Sequence, residues 1–144
     1  MNKAYCAQGA VVACTGAAAT RVRTVPPLGA SSAGSPLSAT AAAASLAYVA
    51  DRPGLRKTLR DTADYLRIRL RNIGLDPSES PAPIVTFKSG TFADMHALQR
   101  RAFERGIYLH HSTYIGAGPE GVIRCAIFRD HSRQDMDELI DALG

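Results

Sequence analysis

Apolar residues recur at helical spacing between residues 53 and 73. They fall three or four residues apart, at Leu55, Leu59, Ala63, Leu66, Leu70 and Ile73. This spacing predicts an amphipathic helix that begins near Pro53, because proline is tolerated in a first helical turn, and ends at Gly74. The opposite face carries Arg56, Lys57, Arg60, Arg67 and Arg71, which we interpret as a solvated basic face. An alanine-rich helix from about Ser38 precedes it.

Three short apolar segments in the second half of the chain predict strands, at residues 84–88, 107–111 and 122–128. A helix over about 92–105 connects the first two, and Ser132 with Asp135 forms the capping pattern of a last helix. We therefore expect an α/β chain whose C-terminal part is a small α+β domain. Its helices pack on a small, mainly antiparallel sheet, in three layers.

The first fourteen residues combine a lysine, Lys3, with a short apolar segment from Ala10 to Cys14 that predicts a buried strand. A lysine amine held against such a strand is desolvated and becomes a nucleophile towards aldehydes. On these residues alone, a solvated lysine is the simpler interpretation. A lipoprotein signal ending at Cys14 is a weaker alternative, because Gln8 and Gly9 interrupt its apolar part.

Composition excludes some classes of protein. The chain has 144 residues, 46% of them hydrophobic, a net charge of +4 and three cysteines. We expect a cytoplasmic protein with free thiols, no membrane partner because no apolar stretch is long enough to span a bilayer, and no nucleic-acid partner because aromatic interleaving is missing. His110 and His111 are adjacent on a predicted strand and point to opposite faces, so we predict no metal site there.

Residues 16–38 are rich in glycine, alanine, serine and proline. Pro26-Pro27 and the segment 29–36 are poor in both helix and strand propensity. One interpretation is a flexible linker. The other is a loop whose backbone N–H groups and serine hydroxyls contact a phosphate. The residues favour neither over the other.

Two parts of the chain resemble the α-oxoamine synthase group of class II, fold-type-I pyridoxal-phosphate enzymes. The first is Lys3-Ala4-Tyr5-x-x-x-Gly9, where Asn2 and Cys6 depart from the family's small residues. The second runs from Gly106-Ile107-Tyr108-Leu109 through Gly121–Ile127 to His131 and the last helix. The order of a strand arginine, a histidine turn and a helix is that of the family's small domain.

The resemblance implies specific roles for three residues. Lys3 would hold pyridoxal 5'-phosphate as an imine and later transfer a proton. Ser32 would help to hold the cofactor phosphate, although Ala33 and Gly34 stand where the family has polar residues. Arg124 would bind the substrate carboxylate, which suits a guanidinium fork held by a strand. The reaction would be condensation of an amino acid with acyl-CoA, or transamination, in a homodimer.

The resemblance also implies a division of the chain. Residues 1–38 would be a remnant of the large cofactor-binding domain, residues 39–75 connecting helices, and residues 76–144 the small α+β domain. A complete relative has a large domain before the lysine, so we expect this chain to correspond to the last third of such an enzyme and to be inactive alone. The alternative is a non-enzymatic, basic α+β binding module.

Overall fold

A computed structural model describes residues 1, 3–26, 34–114 and 116–144. They divide into two compact units, Met1–Pro53 and Gly54–Gly144, which are described in turn. The helices and strands are α1 Gly16–Arg23, α2 Pro36–Ala50, α3 Pro53–Asn72, β1 Ile84–Phe87, α4 Phe92–Glu104, β2 His110–Ser112, β3 Val122–Ala126 and α5 Arg133–Leu143. None of the described helices combines the length and the hydropathy that a bilayer crossing requires. The assignment of residues 1–38 to a large domain stays a prediction.

The first unit contains the helices α1 and α2, neither of which buries a residue. Helix α1 begins after Thr15, whose hydroxyl accepts a hydrogen bond from the Ala18 N–H at 3.3 Å. It corrects our expectation of a linker or loop from residue 16 onwards. Three consecutive alanines with high helix propensity, residues 17–19, together with a capping threonine, stabilise this short helix.

The predicted strand at Ala10–Cys14 is wrong. These residues adopt no regular structure, and the side chains of Val11 and Val12 are 70% and 79% exposed. A strand requires hydrogen bonds to a neighbouring strand, and among the described residues the paired strands are β1, β2 and β3 of the second unit. The apolar residues 10–14 therefore have no neighbouring strand to pair with among the described residues.

The second unit is built on a three-stranded sheet of order β1-β3-β2, in which both pairings are antiparallel. This confirms the predicted mainly antiparallel sheet. Strand β3 is central, and its Arg124 is paired with Thr86 of β1 on one side and His110 of β2 on the other. Strand β2 is shorter than predicted, because residues 107–109 lie outside the ladder.

One face of the sheet is covered and the other is open. Val85, Phe87, Ile123 and Cys125 are buried, whereas the residues between them are half-buried. The buried residues join side chains of all three helices of this unit in one core: Ala63, Leu66, Leu70, Met95, Leu98, Ala102, Met136, Leu139 and Ile140. Because helices α3, α4 and α5 share this single core, the unit has two layers and not the three we expected.

Both α4 and α5 begin with a capping box. The Thr91 hydroxyl accepts from the Asp94 N–H while the Asp94 carboxylate accepts from the Thr91 N–H, and Ser132 and Asp135 repeat the arrangement. These hydrogen bonds from Thr91 and Ser132 lower the pKa of both carboxyl groups. The cap predicted at Ser132 is thus confirmed, and Gly106, with φ of 79°, follows the end of α4.

Arg67 departs from the predicted solvated face of α3, since it is only 5% exposed. Its guanidinium donates to the carbonyl oxygens of Ser78 at 3.1 Å, Ser80 at 2.5 Å and Ala82 at 2.6 Å. It also forms an ion pair with Asp64 at 2.7 Å. The side chain is buried because the segment 78–82 folds over it and satisfies its donors.

Candidate functional site

Lys3 lies in a turn of the first unit. The Cys6 N–H donates to the Lys3 carbonyl oxygen at 3.2 Å, and Cys6 closes the turn in a left-handed conformation with φ of 48°. The Lys3 side chain is exposed, so it is not desolvated against a packed strand. Its ammonium group makes no hydrogen bond or ion pair with any described residue. It is therefore accessible to a ligand from solvent.

Ser32, the residue predicted to contact the cofactor phosphate, lies outside the described residues. Its role stays a prediction. Of the segment before α2, the structure describes Ser35, whose hydroxyl accepts from the Ser38 N–H at 3.4 Å as the cap of that helix.

Arg124 lies in the middle of the central strand, on the open face of the sheet. The side chain is half-buried and makes no hydrogen bond or ion pair with the described part of the chain. On helix α3, by comparison, Arg67, Arg69 and Arg71 each pair with a carboxylate. A guanidinium held by a rigid strand with its donors unused is suited to bind an external carboxylate.

A cleft of about 640 Å³ lies beside Arg124 within the second unit. One wall is formed by residues 106–110, and the other by residues 124–128 with His131 and part of α5. Sequence reasoning missed this cleft, because it depends on residues 107–109 leaving the ladder. The volume is in the range of small-molecule binding sites.

The histidine residues near the cleft have different environments. The His111 Nε2 lies 2.8 Å from the Glu120 carbonyl oxygen, and its ring packs on Phe92 and His96. His110 is exposed and makes no hydrogen bond with a described residue. The two side chains thus point to opposite faces, as the sequence predicts. The His131 Nδ1 accepts from the Phe128 N–H at 3.1 Å, which closes the turn after β3.

Among the described residues, no group of three or more histidine, cysteine, aspartate or glutamate side chains is arranged to hold a metal ion. Cys125 is buried, which raises the pKa of its thiol to about 12. Cys6 and Cys14 are exposed free thiols. Since Lys3 belongs to the first unit and Arg124 to the second, their meeting in one site stays a prediction.

Comparison with known proteins identifies relatives of this chain. Residues 1–143 match the profile of the aminotransferase class I and II family. The biotin biosynthesis bifunctional protein BioWF of Corynebacterium kroppenstedtii is 28% identical over 117 residues, which are 78% of this chain and 16% of the relative.

Two solved structures share the fold. The 8-amino-7-oxononanoate synthase of Francisella tularensis superposes with a TM-score of 0.75 at 15% identity, over 90% of this chain and 38% of that one. For the serine palmitoyltransferase of Sphingomonas wittichii the TM-score is 0.66 at 21% identity, over 79% and 29%. The chain therefore spans less than two fifths of the length of each of these relatives.

Proposed function

Because the chain belongs to the aminotransferase class I and II family, we propose that it is part of a pyridoxal-phosphate-dependent transferase. The reaction is condensation of an amino acid with an acyl thioester, or transfer of an amino group. Two relatives, an oxononanoate synthase and a serine palmitoyltransferase, support the acyl-transfer form by their names. Family membership favours this enzyme over a non-enzymatic basic module.

Arg124 carries the proposal. It is half-buried at the centre of the sheet and lines a cleft, yet no described carboxylate pairs with it. Burying a guanidinium without a partner is unfavourable, so such an arrangement is expected where a ligand supplies the carboxylate. In the proposed enzyme that ligand is the amino-acid substrate, and the fork of Arg124 fixes the orientation of its carboxylate.

Covalent attachment of the cofactor requires an accessible amine. Lys3 meets this requirement, because its side chain is exposed and forms no ion pair with a described residue. When bound, pyridoxal phosphate supplies an aldehyde that bonds to amines and a ring that accepts electrons from the substrate. Lys3 would hold it and then carry the proton removed from the substrate's α-carbon. Ser32 would contribute to the phosphate site.

We also propose that the whole enzyme is a cytoplasmic homodimer. All three cysteines are free thiols, which fits a reducing compartment. The homodimer rests on the family likeness alone.

Two substitutions test the assignment in the proposed whole enzyme. Lys3→Ala should abolish the absorbance of the lysine-bound cofactor. Arg124→Lys should keep that absorbance and raise the KM for the amino acid about tenfold or more, because a point charge replaces a bidentate fork. Arg71→Lys, an exposed arginine paired with Glu79, is the matched control. The proposal fails if Lys3→Ala keeps the absorbance, or if Arg124→Lys binds the amino acid as well as wild type.

A further inference from the structure

His110 is the cross-strand neighbour of Arg124. The two residues are directly paired in the β2–β3 ladder, and paired residues on one face of an antiparallel sheet have Cβ atoms about 4.5–5.5 Å apart. Both residues line the cleft. His110 is exposed and makes no hydrogen bond with the described residues, whereas the adjacent His111 is bonded to Glu120 and packed on α4. The imidazole of His110 is therefore available to a ligand.

The backbone beside this pair is also available. The Ile127 N–H donates to the Pro83 carbonyl oxygen at 2.8 Å, on the β1 side. Because hydrogen-bonding groups alternate along a strand, the Ala126 N–H points to the other side, into the cleft. In the part of the chain that the structure describes, no backbone hydrogen bond joins residues 107–109 to residues 125–127. The cleft thus presents one backbone donor next to two side-chain donors.

The acidic residues of the cleft do not neutralise these donors. The Asp135 carboxylate accepts from the Ser132 N–H and hydroxyl, at 2.6 and 2.9 Å. The Glu138 carboxylate accepts from Gln134 at 3.0 Å. Neither forms an ion pair with Arg124 or His110 within the described residues. An anion entering the cleft therefore meets donors that are not already occupied.

We propose that His110 is a second carboxylate-binding residue, which acts with Arg124 on the same substrate carboxylate. The inference rests on the proposed function, because it takes an amino-acid carboxylate as the ligand. The guanidinium supplies the fork and the charge. The imidazole supplies a further N–H donor from the neighbouring strand, and the paired register of β2 and β3 fixes the distance between the two side chains.

The test is a titration of the 144-residue chain with sodium propionate, followed by the amide resonances in NMR spectra. Propionamide, which has nearly the same shape and no charge, is the ligand control. Wild type should bind propionate and not propionamide, with the largest shifts at residues 124–127. His110→Ala should weaken propionate binding about tenfold or more, since a hydrogen bond to a charged group is lost. His110→Arg should restore it.

His111→Gln is the matched control, because it alters the adjacent histidine and retains a donor near Glu120; it should bind propionate as wild type does. Amide dispersion of each variant reports that it is folded, and His110→Leu, which also removes the donor, replaces His110→Ala if the latter unfolds. Unchanged affinity in the His110 variant that lacks a donor, with a loss in Arg124→Lys, overturns the role of His110 alone. Unchanged affinity in Arg124→Lys, or no binding to wild type, overturns the carboxylate site itself.

Discussion

Replacing Arg67 by alanine should destabilise the second unit strongly. The side chain is 6% exposed and donates to the carbonyl oxygens of Ser78, Ser80 and Ala82. A hydrogen bond to a charged donor contributes about 1.5–3 kcal/mol net. Ser80 is exposed, so water can replace the arginine there, whereas Ser78 and Ala82 are half-buried. Only the bonds to Ser78 and Ala82 are therefore counted, each at the lower limit of that range. Their loss lowers the free energy of unfolding by about 3 kcal/mol, a large fraction of the 5–15 kcal/mol typical of a domain.

Urea unfolding followed by circular dichroism measures this loss as a lower midpoint at unchanged slope. Arg71→Ala is the control on the same helix. Arg71 pairs at 2.5 Å with Glu79, whose side chain is 82% exposed, and such surface ion pairs contribute about 0–1 kcal/mol. If Arg67→Ala unfolds within about 1 kcal/mol of wild type, the segment 78–82 is not held by this side chain, and our account of its burial is wrong.

Three further predictions concern acidity, thiols and turnover. The pKa values of Asp94 and Asp135 are lowered in the folded state, so their stabilisation is complete above the unfolded pKa, about 3.9, and is lost as pH falls through the folded values. The urea midpoint of wild type should fall as the pH decreases over that range. The midpoints of Asp94→Asn and Asp135→Asn should fall less, and an equal fall in all three proteins would contradict this. Iodoacetamide at pH 8 should label Cys6 and Cys14 and spare Cys125, because burial raises the pKa of the Cys125 thiol to about 12. Mass spectrometry of the labelled peptides measures this, and a modified Cys125 would contradict the prediction. The purified 144-residue chain should show no transferase turnover above that of free pyridoxal phosphate, and any excess in an assay of released product would contradict the expectation.

The C-terminal fold was predictable because its signals are local. The capping pair at Ser132, the glycine after α4 and the apolar segments of β1 and β3 each specify an element through neighbouring residues. A capping box can be recognised from the residues of a single helical turn.

The errors arose where partners distant in sequence decide the outcome. Arg67 has the spacing of a solvated residue, yet the segment 78–82 covers it. Val11 and Val12 have strand propensity but no ladder partner among the described residues. The cleft at Arg124 exists because residues 107–109 diverge from β3. The pattern of residues in this segment does not indicate that divergence.

Lys3 is the proposed cofactor-binding residue. The chain offers an internal comparison, since its three lysines are Lys3, Lys57 and Lys88, and Lys57 pairs with Asp61 at 2.6 Å. The measurement is peptide mapping of the proposed whole enzyme after incubation with one equivalent of pyridoxal phosphate and reduction with borohydride. We predict the reduced adduct on Lys3, with Lys57 and Lys88 unmodified. An adduct distributed evenly over the three lysines, or absent from Lys3, would contradict it.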